Sequence, residues 1–126
     1  MYREGRDYYD ISGVSAEEVI DGLNMLHREG AATKYLFRCN NVMPKGNIAE
    51  DLRKCRHYLE RCLQYPAPIR NNTASYWISK INPEVFDIDI YSALFEIITA
   101  VGELGANYQG SINNAIDYVN NAIKKY

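Results

Sequence analysis

The sequence predicts an all-α protein of about five short helices packed in a compact bundle. Apolar residues recur at spacings of three and four along most of the chain, which is the spacing of amphipathic helices. Stretches rich in Gly, Asn and Pro separate these segments, as is typical of turns and loops. The 126 residues, 47% hydrophobic and 24% charged, fit one ordinary globular domain, so we expect a single helical domain over 1–126.

The N-terminal segment is predicted to form an irregular arm followed by a helix. Residues 1–14 are polar and aromatic and include two glycines. Ser15 can cap a helix over about 16–27 while Glu18 reaches back to the cap, which is the capping-box arrangement. The residues of the arm that could anchor it to the body are Tyr8, Tyr9 and Ile11.

The next segment is predicted to be a short helix followed by a loop. Gly30 is expected to break or bend the chain, because glycine is a poor helix former. A second helix then covers about 31–40. Two asparagines, a proline and a glycine lie close together over 40–46, which predicts a loop.

The third helix, over about 48–64, has the strongest signal in the chain. Asn47 can cap its first turn, and one narrow apolar seam follows the helical period. The seam consists of Ile48, Leu52, Cys55, Leu59 and Cys62. Because short helices bury a thin core, we expect this seam to continue into a second copy and the protein to be a homo-oligomer. The three cysteines contain no CxxC pair and are interpreted as small buried hydrophobes.

The segment over 66–82 is predicted to be a long connector. It is rich in Pro, Asn and Ser, so regular structure is not expected there. Trp77, the only tryptophan, is predicted to pin the connector to the body, because large apolar groups are seldom left exposed in loops.

A C-terminal helical hairpin is predicted over 83–126. Its first helix begins at Pro83 or after Asp87 and runs to about 104, with Ile88 on a dense apolar stripe. The last helix covers about 112–125. The chain therefore divides into a half over 7–65, the connector and this hairpin. The two halves share helix starts and tyrosine positions, which fits a duplicated two-helix unit, although short amphipathic helices also align by chance.

Positive charge is concentrated in one part of an acidic chain. Residues 28–61 contain eight Lys and Arg against four Asp and Glu, a net charge of +4, whereas the whole chain carries −2. Such a local reversal marks a candidate site for an anion, most commonly phosphate. If the second and third helices pack antiparallel, their basic residues converge around the loop, beside the free amides at the start of the third helix. These candidate phosphate ligands are Lys34, Arg38, Lys45, Lys54, His57 and Arg61.

The alternative is a solvated surface whose cations pair with neighbouring carboxylates. The acidic residues available for this are Glu29, Glu50, Asp51 and Glu60.

Several classes of protein lack their signatures here. There is no P-loop, no HExxH motif and no nucleophile elbow, so catalytic residues, a cofactor and a metal site are not assigned. An isoelectric point near 5.7 argues against a broad nucleic-acid-binding surface. No apolar run is long enough to span a membrane, and no signal-peptide core begins the chain, so we expect a cytoplasmic protein with no membrane partner.

Motifs over about residues 7–62 resemble the SaV-like family of bacteriophage proteins. They are Asp7-Tyr8-Tyr9, Val19-Ile20, Gly30-Ala31-Ala32-Thr33-Lys34-Tyr35-Leu36-Phe37-Arg38, Lys45-Gly46 and Glu50-Asp51-Leu52-Arg53-Lys54-Cys55-Arg56-His57-Tyr58-Leu59-Glu60-Arg61. One member of that family is similar to a nucleoside-monophosphate kinase without a P-loop, and another is linked to a host abortive-infection system. Tyr8, Ala31 and His57 depart from the family pattern. By this resemblance the functional positions are Lys34, Tyr35, Arg38, Lys45, Asp51 and Lys54.

Two functions follow as expectations. The first is a phage-encoded protein that binds a nucleotide or another phosphate-bearing ligand, with kinase-like activity implied by the resemblance alone. The alternative is a non-enzymatic protein that engages a host protein, for example a defence component. Either would act in the cytoplasm of the infected cell.

Overall fold

The protein folds into six α-helices, with no β-strand, over the residues that the computed structural model describes, which are 11–65, 67, 73–102 and 107–126. The helices are α1 (Ala16–Gly22), α2 (His27–Arg38), α3 (Ile48–Gln64), α4 (Ala74–Lys80), α5 (Ile88–Val101) and α6 (Tyr108–Ile123), with a 3₁₀ turn at Pro83–Val85. The predicted all-α fold is therefore confirmed, with one helix more than expected. α3 packs against both α2 and α6, and α5 packs against α6.

The predicted start of α1 is confirmed, but its predicted end is wrong. The Glu18 amide donates to Ser15 Oγ over 3.1 Å, and the Ser15 amide donates to Glu18 Oε1 over 2.9 Å. The helix ends at Gly22 instead of 27, and Asn24 has a φ of 54°. This left-handed conformation cannot continue a helix. Residues 1–10 of the predicted arm lie outside the described residues, whereas Ile11 packs against the core as expected.

The predicted break at Gly30 is also wrong, because this glycine lies inside α2. The helix begins at His27, where the Leu26 amide donates to Glu29 Oε1 over 2.8 Å and completes the first turn. Gly30 is buried, and a Cβ placed on it would lie 3.1 Å from Ile20 Cγ2. The small residue therefore permits close packing of α1 on α2.

α3 and the preceding loop follow the sequence prediction. The Glu50 amide donates to Asn47 Oδ1 over 2.9 Å, which confirms the cap. Leu52 and Leu59 of the seam are fully buried within the chain, as are all three cysteines. Apart from the partly buried Ile48, the apolar seam of α3 therefore presents no surface to a second copy, and the expected self-association would need another part of the molecule.

The connector contains a helix where none was predicted. α4 covers Ala74–Lys80 and packs on α5. Trp77 is partly buried against the core, and a Cβ on Gly22 would overlap its indole ring. The predicted pin is confirmed, and its contact with the end of α1 explains how a Pro- and Asn-rich segment retains a two-turn helix.

The C-terminal hairpin confirms one of the two predicted starts of its first helix and differs from the prediction at two other points. α5 begins after Asp87, whose Oδ1 accepts the Asp89 amide over 2.8 Å. Ile88 is 70% exposed and does not belong to the buried stripe. α6 begins at Tyr108, four residues earlier than predicted, because Asn107 Oδ1 accepts the Gly110 amide over 2.8 Å and caps it.

A buried polar contact joins α2 to α6. The Tyr108 hydroxyl donates to Glu29 Oε2 over 2.6 Å, and Glu29 is fully buried. Burial, followed by this hydrogen bond, raises the pKa of the Tyr108 hydroxyl above its ordinary value of 10.0. Glu29 is thus a core residue, and it does not serve as a surface partner for the basic side chains.

Candidate ligand-binding site

α2 and α3 pack antiparallel, and their exposed junction carries most of the predicted site residues. Arg28 Nη2 lies 2.6 Å from the Tyr65 carbonyl oxygen at one end, and Arg38 Nε lies 3.0 Å from Asp51 Oδ2 at the other. We call the surface between these ends the α2–α3 seam. The antiparallel arrangement that the sequence argument required is therefore present.

Two tyrosines meet at the middle of the α2–α3 seam. The rings of Tyr35 and Tyr58 are stacked, with centroids 6.1 Å apart and planes inclined by 16°. Both side chains are partly buried against the core. The tyrosine pair, as we call these two residues, thus presents half-wet aromatic surface that is held in place from below.

A hollow opens on each side of the tyrosine pair. The first hollow has a volume of about 380 Å³ and the second about 370 Å³, each at the lower end of the range for small-molecule sites. The first is lined by Ile20, Met25, Leu26, His27, Gly30, Ala31 and Lys34 together with the pair. The second is lined by Glu50, Arg53, Lys54 and His57 together with the pair.

The second hollow is the more strongly charged one. Lys54 Nζ lies 5.7 Å from the centroid of the Tyr35 ring and 3.6 Å from Glu50 Oε1. The Lys54 and Glu50 side chains are 49% and 61% exposed, so their ion pair is weak and readily exchanged for another anion. Arg53 adds a second cation to this hollow. The arrangement can hold a phosphate beside an aromatic face.

Both histidines of the chain lie edge-on to the same tyrosine. His27 is 5.9 Å from Tyr58 between ring centroids, and His57 is 5.3 Å away. They lie in different hollows. Each hollow therefore combines a tyrosine face, an imidazole and at least one lysine, namely Lys34 in the first and Lys54 in the second.

The remaining predicted residues lie at the two ends of the α2–α3 seam. Arg38 pairs with Asp51, whose side chain is only 4% exposed, and the Lys45 amide donates to the Arg38 carbonyl oxygen over 3.2 Å. Arg61 lies ten residues beyond Asp51 on α3, about 15 Å along the helix axis. The six predicted phosphate ligands therefore form three groups along the α2–α3 seam instead of one cluster around the loop.

The N-terminus of α3 is partly occupied by the protein itself. Asn47 takes the Glu50 amide, and Glu50 and Asp51 lie in the first helical turn. Their negative charges favour the positive end of the helix dipole and compete with any other anion there. The centre of the seam is consequently the better anion site.

Sequence analysis missed Tyr58 and His27 as site residues. Tyr58 follows Lys54 by four residues on α3 and therefore lies on the same helical face, which was an available signal. His27 had no such signal, because it reaches Tyr58 only through the packing of α2 on α3.

The cysteine thiols take no part in this site. Burial raises the pKa of the Cys39 thiol to about 12, with Asp51 adding to the rise and Arg38 opposing it. Burial also raises the pKa of Cys55. Both are therefore protonated, unreactive thiols at neutral pH, which agrees with their interpretation as small hydrophobes.

Within the described ranges no group of three or more His, Cys, Asp or Glu side chains could hold a metal ion, and no helix is both long and apolar enough to cross a membrane.

Comparison of the chain with protein-family models, with curated proteins and with solved structures gives no match. The resemblance to the SaV-like family therefore stays a prediction.

Proposed function

We propose that this protein binds a nucleotide or another phosphate-bearing ligand at the tyrosine pair. The observation that carries the proposal is the stack of Tyr35 on Tyr58 with a hollow of about 370–380 Å³ on each side and cations at its rim. Aromatic faces stack on nucleobases of any sequence, and lysine and arginine hold phosphate.

Each of the two hollows suits a chemically different part of the ligand. The first has apolar walls, including Ile20 and Met25, and suits a planar ring lying against Tyr58. The second has Arg53 and Lys54 and suits the phosphate. The ligand would then release Lys54 from Glu50, a pair that is exposed and weak.

The proposal is tested by calorimetry with the four nucleoside 5′-monophosphates and with inorganic phosphate. Replacing Lys54 with alanine should weaken nucleotide binding about tenfold or more, since a charge-assisted hydrogen bond contributes about 1.5–3 kcal/mol. Replacing Tyr35 with leucine should weaken nucleotide binding and spare binding of inorganic phosphate. Lys124→Ala removes an exposed charge from the C-terminal end of the chain and serves as the matched control. Absence of heat with every nucleotide would contradict the proposal.

The resemblance adds a finer proposal, a phage-encoded protein with nucleoside-monophosphate kinase-like activity in the cytoplasm of an infected cell. It involves Lys34, Arg38, Lys45, Asp51 and Lys54. An assay of phosphoryl transfer from ATP to each monophosphate tests it. Binding without turnover would leave only the binding function.

A second candidate function, engagement of a host protein, is favoured by apolar side chains away from the α2–α3 seam. Val42 and Ile88 are exposed, and the Asn41 amide donates to the Val85 carbonyl oxygen over 2.7 Å, which holds the α2–α3 loop near the start of α5. We infer that Val42 and Ile88 belong to one apolar patch, the kind of surface that marks protein contacts. Val42→Asp with Ile88→Asp should abolish binding of a purified host partner without altering nucleotide binding.

We propose self-association through the same surface. Light scattering at tens of micromolar should then give a dimer for the natural protein and a monomer for the double aspartate variant. A monomeric natural protein would contradict this proposal.

A further inference from the structure

The α2–α3 seam continues beyond the tyrosine pair to a second group of cations. Arg28 Cζ lies 5.4 Å from the centroid of the Tyr65 ring, and Arg61 Cζ lies 5.6 Å from the same centroid. Tyr65 is 52% exposed. Two guanidinium groups therefore flank one open aromatic ring.

These two arginines carry charge that the described residues do not neutralise. Among the described residues, the basic side chains in ion pairs are Arg38, Lys54 and Lys125. Neither Arg28 nor Arg61 is one of them. Arg28 Nη2 donates to the Tyr65 carbonyl oxygen, but Arg28 Nε is buried without a partner there. The carbonyl end of α3 offsets part of the charge. An anion between the guanidinium groups would neutralise the rest with forked hydrogen bonds.

Lys54 and the group formed by Arg28 and Arg61 lie on opposite sides of Tyr58 along one face of α3. Lys54 and Arg61 are seven residues apart, so they are separated by about 10 Å along the axis of α3. Lys54 reaches towards Glu50 and Arg61 reaches towards Tyr65, so in these conformations one phosphate does not contact both side chains. A ligand that uses both groups must carry two phosphates, with the ring that stacks on Tyr58 between them.

We propose that the α2–α3 seam binds a nucleoside unit flanked by two phosphates, as found in single-stranded nucleic acid. This inference rests on the proposed function, because it extends the same ligand from the tyrosine pair to Tyr65. Aromatic side chains interleaved with cations along a groove are the common basis of single-strand binding. The phosphates lie at Lys54 and at Arg28 with Arg61, and the base lies on Tyr58.

The acidic character of the whole protein limits the length of nucleic-acid strand that can be bound, but it does not exclude binding of a short strand. Charges beyond about 8–10 Å are largely screened at physiological salt, so the local balance decides. The cations along the seam are Arg28, Lys34, Arg53, Lys54 and Arg61, against the exposed carboxylates Glu50 and Glu60. A strand that left the seam would meet the acidic remainder of the protein, so the contact covers few phosphates.

The experiment compares three ligands, thymidine 5′-monophosphate, thymidine 3′,5′-bisphosphate and single-stranded hexathymidylate, by calorimetry. The bisphosphate and the hexamer should bind at least about tenfold more tightly than the monophosphate, the difference expected from one further charge-assisted contact. The logarithm of the hexamer's affinity should fall with the logarithm of salt concentration with a slope of about −1.4, twice the value for one phosphate on a single strand.

Arg61→Ala is the decisive variant, because Arg61 is exposed and its loss should not disturb folding. It should remove the advantage of the bisphosphate and the hexamer while leaving the monophosphate affinity unchanged. Arg61→Lys keeps the charge and should restore part of the advantage, since lysine cannot make the forked contact. Lys54→Ala should weaken all three ligands, and Lys124→Ala none.

The outcomes separate this inference from the proposed function. Equal affinity for all three ligands, or an equal effect of Arg61→Ala on each, would overturn the inference and leave nucleotide binding in place. Tighter binding of the bisphosphate without binding of the hexamer would overturn the assignment to nucleic acid. Binding of the hexamer without the monophosphate supports the inference and removes the mononucleotide as the ligand. No binding of any ligand overturns both.

Discussion

The α5–α6 hairpin and the α2–α3 hairpin differ in how much of their surface is buried. α5 buries a broad face, which consists of Ile90, Ala93, Leu94, Ile97, Ile98, Ala100 and Val101. α3 is longer but buries one stripe, consisting of Asp51, Leu52, Cys55, Leu59 and Cys62. An amphipathic helix lays its apolar stripe on the core and carries polar residues on the opposite side, and this contrast is stronger in α3 than in the more apolar α5.

The core formed by α5 and α6 supports the charged surface of α3. α6 packs on α5 with one side and on α3 with another, so the apolar C-terminal hairpin covers the buried stripe of α3. The opposite side of α3 is thereby free to carry charge and aromatic rings. The suggestion that the two halves of the chain, 7–65 and 83–126, arose by duplication of a two-helix unit stays a prediction.

The largest effect is expected from a substitution on the buried face of α5. Leu94→Ala removes a fully buried side chain from α5 and should lower the free energy of unfolding by about 2–5 kcal/mol, because a cavity remains. Urea unfolding measures this loss. Ile88→Ala, on the exposed side of the same helix, should change it by less than about 0.5 kcal/mol. Similar losses for the two variants would contradict the burial of α5.

The contact between the hairpins provides the second test. Tyr108→Phe removes the donor to Glu29 Oε2 and should lower the free energy of unfolding by about 1–3 kcal/mol, since a buried polar group loses a partner. Urea unfolding at neutral pH measures the loss. A neutral result would show that Glu29 is satisfied without the hydroxyl.

The pH dependence of the same variant gives a signed prediction. The pKa of Tyr108 is raised above 10.0 in the folded protein by burial and by Glu29. Above that pH the unfolded chain loses this proton while the folded protein keeps it, so the unfolded state binds fewer protons and stability falls. The advantage of the natural protein over Tyr108→Phe should therefore shrink as pH rises from 9 to 11. A constant difference would contradict the raised pKa.

The smallest effects distinguish the end of the α2–α3 seam from its centre. Arg38→Ala leaves the buried Asp51 carboxylate without its ion pair and should lower the free energy of unfolding by about 1–2 kcal/mol, because Arg38 is partly exposed. Lys34→Ala, at an exposed position of the first hollow, should change stability by less than about 0.5 kcal/mol but weaken nucleotide binding. Thermal unfolding together with calorimetry measures both. The reverse pattern would place the ligand at Arg38.

The all-α class, the extent of α3 and the caps at Ser15 and Asn47 could be predicted because each depends on residues within a few positions. A helix repeats every 3.6 residues, so its apolar stripe is visible in the sequence. The cap bonds span three residues. The same reasoning wrongly predicted a break at Gly30. This glycine permits close packing against Ile20 on another helix, which is not visible in the neighbouring sequence. α4 was missed for a related reason, since its Trp77 packs against Gly22 at the end of α1, which lies outside the segment.

The sequence by itself determined that this protein is helical and that its positive charge lies between residues 28 and 61. Only the tertiary structure decided which of those charges act together. Tyr35 meets Tyr58 across 23 positions of sequence, and Glu29 meets Tyr108 across 79. Such pairings depend on how whole helices pack, and packing follows from buried surfaces distributed over the entire chain. For that reason the six candidate phosphate ligands, which the sequence predicted to form one cluster, lie in a row along the α2–α3 seam with the tyrosine pair at its centre.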